Sequence, residues 1–319
     1  MRIRFGLSAI LFLTGLQASV DARADFHVQV DYNDPSGSNA AYYDRITAGI
    51  DAAAAEWGRY LDTRNETLEI QLNFTNEPTG SGGSFLYGYD ADVSQAVGLP
   101  TFEAGAAMKL MRGIDITQGA DAVLNIGRDW LENVLWYNPD PGSSTPPPPG
   151  QVDSHYFFLH ELGHILGFSS FRDPNGDLPR FSDGTPYQST FDALSGFDSN
   201  GDFYYLGENA MLAYGGKPVP LTYGNFSHVG NGWWTGRPGV DLVNDVMNGV
   251  VSQSIHYSLS GVDVGVLSDM GYSLTAEGRA LVGLAPTAVP EPASLLALGL
   301  GLAGVRASRS VATRRRRAA

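Results

Sequence analysis

The residues best equipped for chemistry are His160-Glu161-Leu162-Gly163-His164, followed by Ile165-Leu166-Gly167-Phe168. In a helix of 3.6 residues per turn, His160 and His164 fall one turn apart on a single face, so both imidazoles can reach one metal ion with Glu161 projecting beside it. That is a zinc site in outline. Neutral imidazole nitrogen is a good zinc donor, and a catalytic zinc takes three protein ligands and keeps its fourth position for water. Two ligands are visible in this run, so a third must come from elsewhere in the chain.

The elements around the run can be read from spacing. A helix is expected from an N-cap at Asp153 or Ser154, with Phe157, Phe158, Leu159, Leu162, Ile165 and Leu166 as a broad apolar flank. Gly163 keeps its metal face open, and Gly167 is placed to end it in a left-handed conformation. Upstream, Phe26 to Tyr32 alternates as a strand, Ala40 to Leu61 repeats at helical spacing, and Leu68 to Phe74 alternates again. Strand, helix, strand predicts a right-handed crossover in an α/β unit. Ala104 to Met111 reads as a short helix, Asp121 to Ile126 as a strand and Val262 to Met270 as a last helix. Asn76 to Tyr89, rich in Gly, Ser and Pro, reads as an exposed loop, and Asn138 to Gly150, with four consecutive prolines, as a surface connector.

With no cysteine in 319 residues, disulfides, thiolate ligands and thiol nucleophiles are excluded, which leaves His, Asp and Glu as metal donors. His27 lies in the first strand and His155 points away from the face shared by His160 and His164, so both read as structural. His228, in Asn225-Phe226-Ser227-His228-Val229-Gly230, lies in a loop able to return to the site and is the leading third ligand. His256 stays open as a lesser candidate, and Glu208, next to a short helix at Asn209 to Ala213, is the carboxylate rival. Asp173 to Asp177 and Asp198 to Asp202 have the look of calcium loops but lack the Gly at position six and the Glu at position twelve, so turns are expected and calcium is the lesser alternative.

The two ends carry sorting signals. Arg2 and Arg4, an apolar run from Phe5 to Leu16 and Ala22-Arg23-Ala24 form an export signal over residues 1–24. Near the other end, Val289-Pro290-Glu291-Pro292 precedes an apolar stretch from Ala293 to Val305 and then Arg306, Arg309 and Arg314 to Arg317. That stretch is shorter than the ~20 residues that span a bilayer, so transient membrane contact is expected. Its three-part order resembles the PEP-CTERM sorting signal of bacterial exported proteins, which implies cleavage by an exosortase. Nine of the 20 Lys+Arg and two of the 34 Asp+Glu lie in these ends, which leaves 11 basic and 32 acidic side chains, a net charge of about −21. Such a surface repels phosphate backbones, so nucleic acid is not an expected partner.

The run from His160 to Phe168 also resembles the active helix of the metzincin zinc endopeptidases. Their pattern usually continues with a third His three residues after the Gly, a position held here by Ser170. The arrangement is similar to the leishmanolysin branch, in which an insertion separates the helix from a Ser-His ligand element. Ser227-His228 matches that element, Asp241 to Asn248 matches the Met-turn with Met247 as its methionine, and Leu259 to Tyr272 matches the closing helix. The resemblance runs in order from about Phe26 to Tyr272.

It implies an α+β, metzincin-like fold with a twisted, mostly parallel sheet. Residues 25–275 would form the domain, with an upper lobe of about 25–168 and a lower lobe of about 169–275, then a linker at 276–288 and the sorting segment at 289–319. It further implies one catalytic Zn2+ on His160, His164 and His228, with Glu161 as general base and Met247 as an apolar floor. The substrate would be a protein or peptide held along the sheet edge before Asp121. The expected product is a monomeric endopeptidase, exported through signal peptidase and an exosortase-type enzyme to the cell surface or beyond. Two rival expectations stay open: a catalytically silent surface or matrix binding protein, and a gluzincin-like zinc hydrolase that uses Glu208.

Overall fold

A computed structural model describes residues 26–140, 143–232 and 236–285. The export signal and the sorting segment therefore lie outside the described residues. The chain is a mixed α/β protein with several small sheets and packed helices.

Its main sheet has four strands: β1 (His27–Asn33), β2 (Thr67–Thr75), β3 (Gly80–Ser84) and β4 (Ala122–Gly127). The order across the sheet is β1-β2-β4-β3. β1, β2 and β4 run parallel, with Val30 opposite Ile70 and Leu72 opposite Leu124, whereas β3 runs antiparallel along the edge. In β2 the alternation is clean, with Leu68, Ile70, Leu72 and Phe74 buried. β1 and β2 are joined through α1 (Tyr43–Tyr60), the crossover expected from the periodicity.

α1 turns Ile46, Ile50, Ala53, Ala54 and Trp57 inward, where they pack with the sheet and with α3 (Ser154–Ile165), the helix that carries His160 and His164. Two details fix that pairing. Gly49 leaves space for the Phe158 ring, since a Cβ there would lie 2.5 Å from it. The Trp57 indole donates to the Leu159 carbonyl at 3.1 Å, which satisfies a polar group inside an otherwise apolar contact.

α2 (Gly105–Arg112) presents Lys109, whose ammonium sits among Asp121, Glu69 and Asp115 at 2.8, 3.0 and 3.2 Å. A buried ammonium surrounded by three carboxylates is compensated, and it locks the entry to β4. Downstream, three short strands at Ser195–Phe197, Phe203–Tyr205 and Val219–Pro220 form a separate small sheet. α4 (Glu208–Ala213), α5 (Gly261–Asp269) and α6 (Ala276–Val282) pack together. The two halves of the chain are interleaved: Gln188–Ser189 pairs with Thr101–Phe102, and Ser273–Leu274 pairs with Leu61–Asp62.

Two expectations are corrected. The stretch Asn76 to Tyr89 contains the edge strand β3 and a second strand, Tyr87–Tyr89, in place of an open loop. Its composition hid the strand because Gly-Ser-Gly-Gly-Ser has no apolar alternation, and the main chain alone makes the ladder. The linker expected at 276–288 opens with α6, whose Gly278 lies directly against the Tyr60 carbonyl. α6 is capped by Thr275, which accepts the Gly278 N–H, so it belongs to the folded body.

The edge strand explains its own glycines. A Cβ on Gly82 would come within 2.6 Å of the Glu161 carbonyl oxygen, while a Cβ on Gly83 would meet nothing within 4 Å. Gly82→Ala is therefore expected to destabilise the protein by about 1–3 kcal/mol through overpacking against backbone. Gly83→Ala is expected to be neutral or slightly stabilising. Paired urea titrations measure the contrast, and equal midpoints would show that β3 is not held against α3.

Candidate metal centre

α3 begins with Asp153, whose carboxylate accepts the His155 N–H at 3.0 Å. The helix is buried on most of its circumference, with Phe157, Phe158, Leu159, Leu162 and Ile165 in the core. It stops at Gly167, where φ is +113° and a side chain would be strained. The turn brings the Phe168 carbonyl back onto the His164 Nδ1 at 2.7 Å.

His160 Nδ1 lies 2.7 Å from the Val246 carbonyl. A carbonyl only accepts, so the Nδ1 atoms of His160 and His164 carry the protons and their Nε2 lone pairs are free. Those two Nε2 atoms are 3.1 Å apart, and the His228 Nε2 is 3.2 Å from each. Among the described residues, His160, His164 and His228 form a group that could hold a metal ion.

Ligands at 2.0–2.1 Å from a tetrahedral zinc stand about 3.3–3.4 Å apart, so the observed triangle fits zinc closely. Burial, with His164 as a neighbour, pushes His160 down to about 3, and burial also lowers His164 and takes His228 well below its ordinary value. All three rings are thus held neutral, the state in which imidazole binds a metal.

His228 returns from a long excursion of the chain. Leu221 and Val229 form a bridge, the Thr222 N–H donates to the His228 carbonyl at 2.8 Å, and Val229 N–H donates to the Met247 carbonyl at 2.9 Å. The Ser170 N–H donates to Ser227 Oγ at 2.9 Å. Ser170, six residues past His164, is thereby tied to the residue that precedes His228. Gly249 packs on the His228 ring, where a Cβ would lie 3.1 Å from Cγ.

Met247 is fully buried, and its sulfur fills the space beside Gly163, where a Cβ would collide with it. Its turn is braced from two sides. Asn248 Nδ2 donates to the Val229 carbonyl at 2.7 Å and to the Leu242 carbonyl at 3.1 Å. Asp245 Oδ1 accepts the Met247 N–H at 3.0 Å.

Glu161 is 5% exposed and lies under β3, with its main chain and Cβ against Gly82. Burial raises its pKa to about 8, against the opposing effect of the Gly82 N–H. Its Oε2 has no hydrogen-bond partner. A buried carboxyl with an uncommitted oxygen is well suited to exchange protons with a reacting molecule.

The other candidates are placed elsewhere. Glu208 is exposed in the first turn of α4 and is not grouped with the three histidines. His256 binds Asp153 at 2.7 Å through Nδ1, and His155 binds Glu56 at 2.7 Å through Nε2, with the two rings stacked 5.8 Å apart. His27 is exposed on β1. In Asp173 to Asp177 and Asp198 to Asp202 the first carboxylate accepts the N–H groups two and four residues on, so both are hydrogen-bonded turns.

Sequence reasoning did not find the two carbonyls that orient the histidines, nor Gly82 as the neighbour of Glu161. Main-chain partners leave no signal in side-chain type. The Asp245–Ser260–Asp263 brace was also missed, although Ser260 followed three residues later by Asp263 is a legible capping box.

Residues 288–317 match the PEP-CTERM protein-sorting motif. The motif marks the protein for export and cell-surface sorting, with an exosortase-type enzyme as its processing partner. No curated protein and no solved structure matches the chain. Among the described residues, no helix is long and apolar enough to cross a membrane.

The brace under Met247 has a defined response to pH. Asp263 is fully buried, and burial together with neighbouring Asp245 raises its pKa well above the usual carboxyl range. A folded value above the unfolded one means that its contribution is complete below about pH 4 and is lost as pH rises through the folded value. The wild type is therefore expected to lose thermal stability on alkaline titration, and Asp263→Asn to flatten that loss. Identical slopes for the two proteins would show that the brace does not depend on this proton.

Proposed function

We propose that the protein is an exported zinc-dependent endopeptidase, with His160, His164 and His228 as zinc ligands and Glu161 as general base. The observation that carries this reading is the convergence of three Nε2 atoms within 3.2 Å of one another, with a buried glutamate, Glu161, next to His160 on the same helix. When bound, zinc supplies Lewis acidity towards a water molecule and a peptide carbonyl.

The chain's own residues account for the rest. Val246 and Phe168 hold two imidazoles in the metal-binding tautomer through their carbonyls. Glu161 takes the proton of the attacking water and delivers it to the departing amine, a role suited to a buried carboxylate with an uncommitted oxygen. β3 has β4 on one side only, and its free edge can pair with an extended peptide. Gly82, the neighbour of Glu161, is the middle residue of β3, so a paired peptide extends in both directions from the bond at Glu161. That geometry favours cleavage within a chain over trimming of an end. The acidic surface and the export signal agree with action outside the cell.

Metal analysis and a protease assay on the wild type and three variants test the assignment. Glu161→Gln is expected to retain one zinc per chain and lose about 10²–10⁴-fold in activity. His228→Ala is expected to lose both zinc and activity, and Glu208→Ala to keep both. Full zinc occupancy in His228→Ala would overturn the ligand set. A zinc-loaded but inactive wild type would assign the fold to binding alone.

A further inference from the structure

Beyond the metal centre, an exposed apolar surface lies where β3 leaves the sheet. Phe85, Leu86 and Tyr89 are 53%, 46% and 58% exposed, and a cavity of about 520 Å³ opens next to them. Its walls are Tyr87, Phe102, Phe171, Pro179, Phe181 and Tyr187. The rings meet mostly edge to face: Tyr87 with Phe171 at 4.9 Å, Phe102 with Tyr187 at 5.8 Å and Phe102 with Phe181 at 6.2 Å. No charged side chain lines it. Exposed apolar surface of this size usually marks a contact site.

Its position ties it to the cleft. Phe171 follows by three residues Phe168, whose carbonyl holds His164, a span of at most about 11 Å. Tyr87 follows by five residues Gly82, which lies against Glu161, and it hydrogen-bonds Ser169 just past the end of α3. The cavity thus lies a few residues along the chain from both the end of β3 and the end of α3.

We propose that this aromatic box is a specificity subsite that receives bulky apolar or aromatic side chains of an extended peptide on the amino-terminal side of the cleaved bond. The inference rests on the endopeptidase reading. A peptide paired antiparallel to β3 places its amino-terminal part beyond Ser84, towards Tyr87, so the box meets residues roughly three to five positions before the bond at Gly82. Side chains two apart in a strand share one face, and a cavity of this volume takes two of them. Aromatic walls suit rings and prolines through edge-on contacts, while an uncharged box in a protein of net charge about −21 rejects acidic side chains.

The test uses two fluorescent ten-residue peptides identical except for Phe-x-Phe or Ala-x-Ala before the cleavage site, which mass spectrometry locates. Cleavage by the zinc-loaded wild type should favour the Phe peptide about tenfold in kcat/KM, and the Glu161→Gln protein should bind it about tenfold more tightly. In Phe181→Ala and Phe171→Ala, checked for fold and zinc content, both ratios should fall to about two.

Equal binding of the two peptides by Glu161→Gln, or a preference untouched by both variants, overturns the subsite even if cleavage occurs. Absence of cleavage by zinc-loaded wild type, with the binding preference intact, overturns the peptidase reading and leaves the box as a peptide site. A dimer that Phe181→Ala converts to monomer would assign the box to a second copy of the chain and overturn the proposal.

Discussion

The structure depends on holding three imidazole lone pairs towards a common point. Without a cation between them, Nε2 atoms 3.1–3.2 Å apart repel, and each ring would turn away if it were free. Two main-chain carbonyls prevent this for His160 and His164, and they come from two separate turns. Phe168 belongs to the turn that ends α3, and Val246 belongs to the turn before Met247. The shape of the site is therefore a property of two chain reversals more than of the helix. Lowered histidine pKa values follow from the same enclosure, since burial that disfavours an imidazolium leaves the neutral donor that a metal needs.

The second turn is itself supported from below. Met247 closes the space next to Gly163, Asn248 ties the strand of His228 to Leu242, and Asp245 links the turn to Ser260 at the start of α5, whose Oγ donates to it at 2.7 Å. A chain of contacts thus runs from α5 through Asp245 and Met247 to the floor of the metal centre. Without cysteine, this architecture has no covalent staple, and its rigidity outside the cell rests on the packed core and on buried polar groups that are paired.

Much of this was legible beforehand, and the limit is physical. β1, α1 and β2 carry side-chain periodicity, and α3 and α5 carry apolar runs behind a capping residue, so their existence and nearly their ends could be read from the sequence. His160, Glu161 and His164 announce themselves by spacing, and His228 was reached because a metal helix lacked one partner. β3 was not legible, because a strand whose side chains are glycines and serines expresses its role through backbone hydrogen bonds and close approach. α6 was missed for a related reason, since a seven-residue helix with Gly278 at its contact point has weak periodicity. Composition reports what side chains bury and says little about where main chain meets main chain.

His228 reaches the other two histidines across a long excursion of the chain. Loop closure costs only about 0.6 kcal/mol for each doubling of length, so the excursion between Ser170 and Ser227 need not weaken the site by its length alone. What matters is that its ends meet and that its interior pays its own ordering entropy. The first condition is met by the Ser170 to Ser227 hydrogen bond and the second by Phe191, Phe203, Tyr205, Val219 and Phe226, all buried. The excursion is thus a folded unit whose far end delivers His228, and it also brings Pro179, Phe181 and Tyr187 beside Phe102 and Tyr87. One stretch of chain completes the metal triangle and shapes the surface next to it. Changes in that stretch can therefore reshape that surface without moving the three nitrogens.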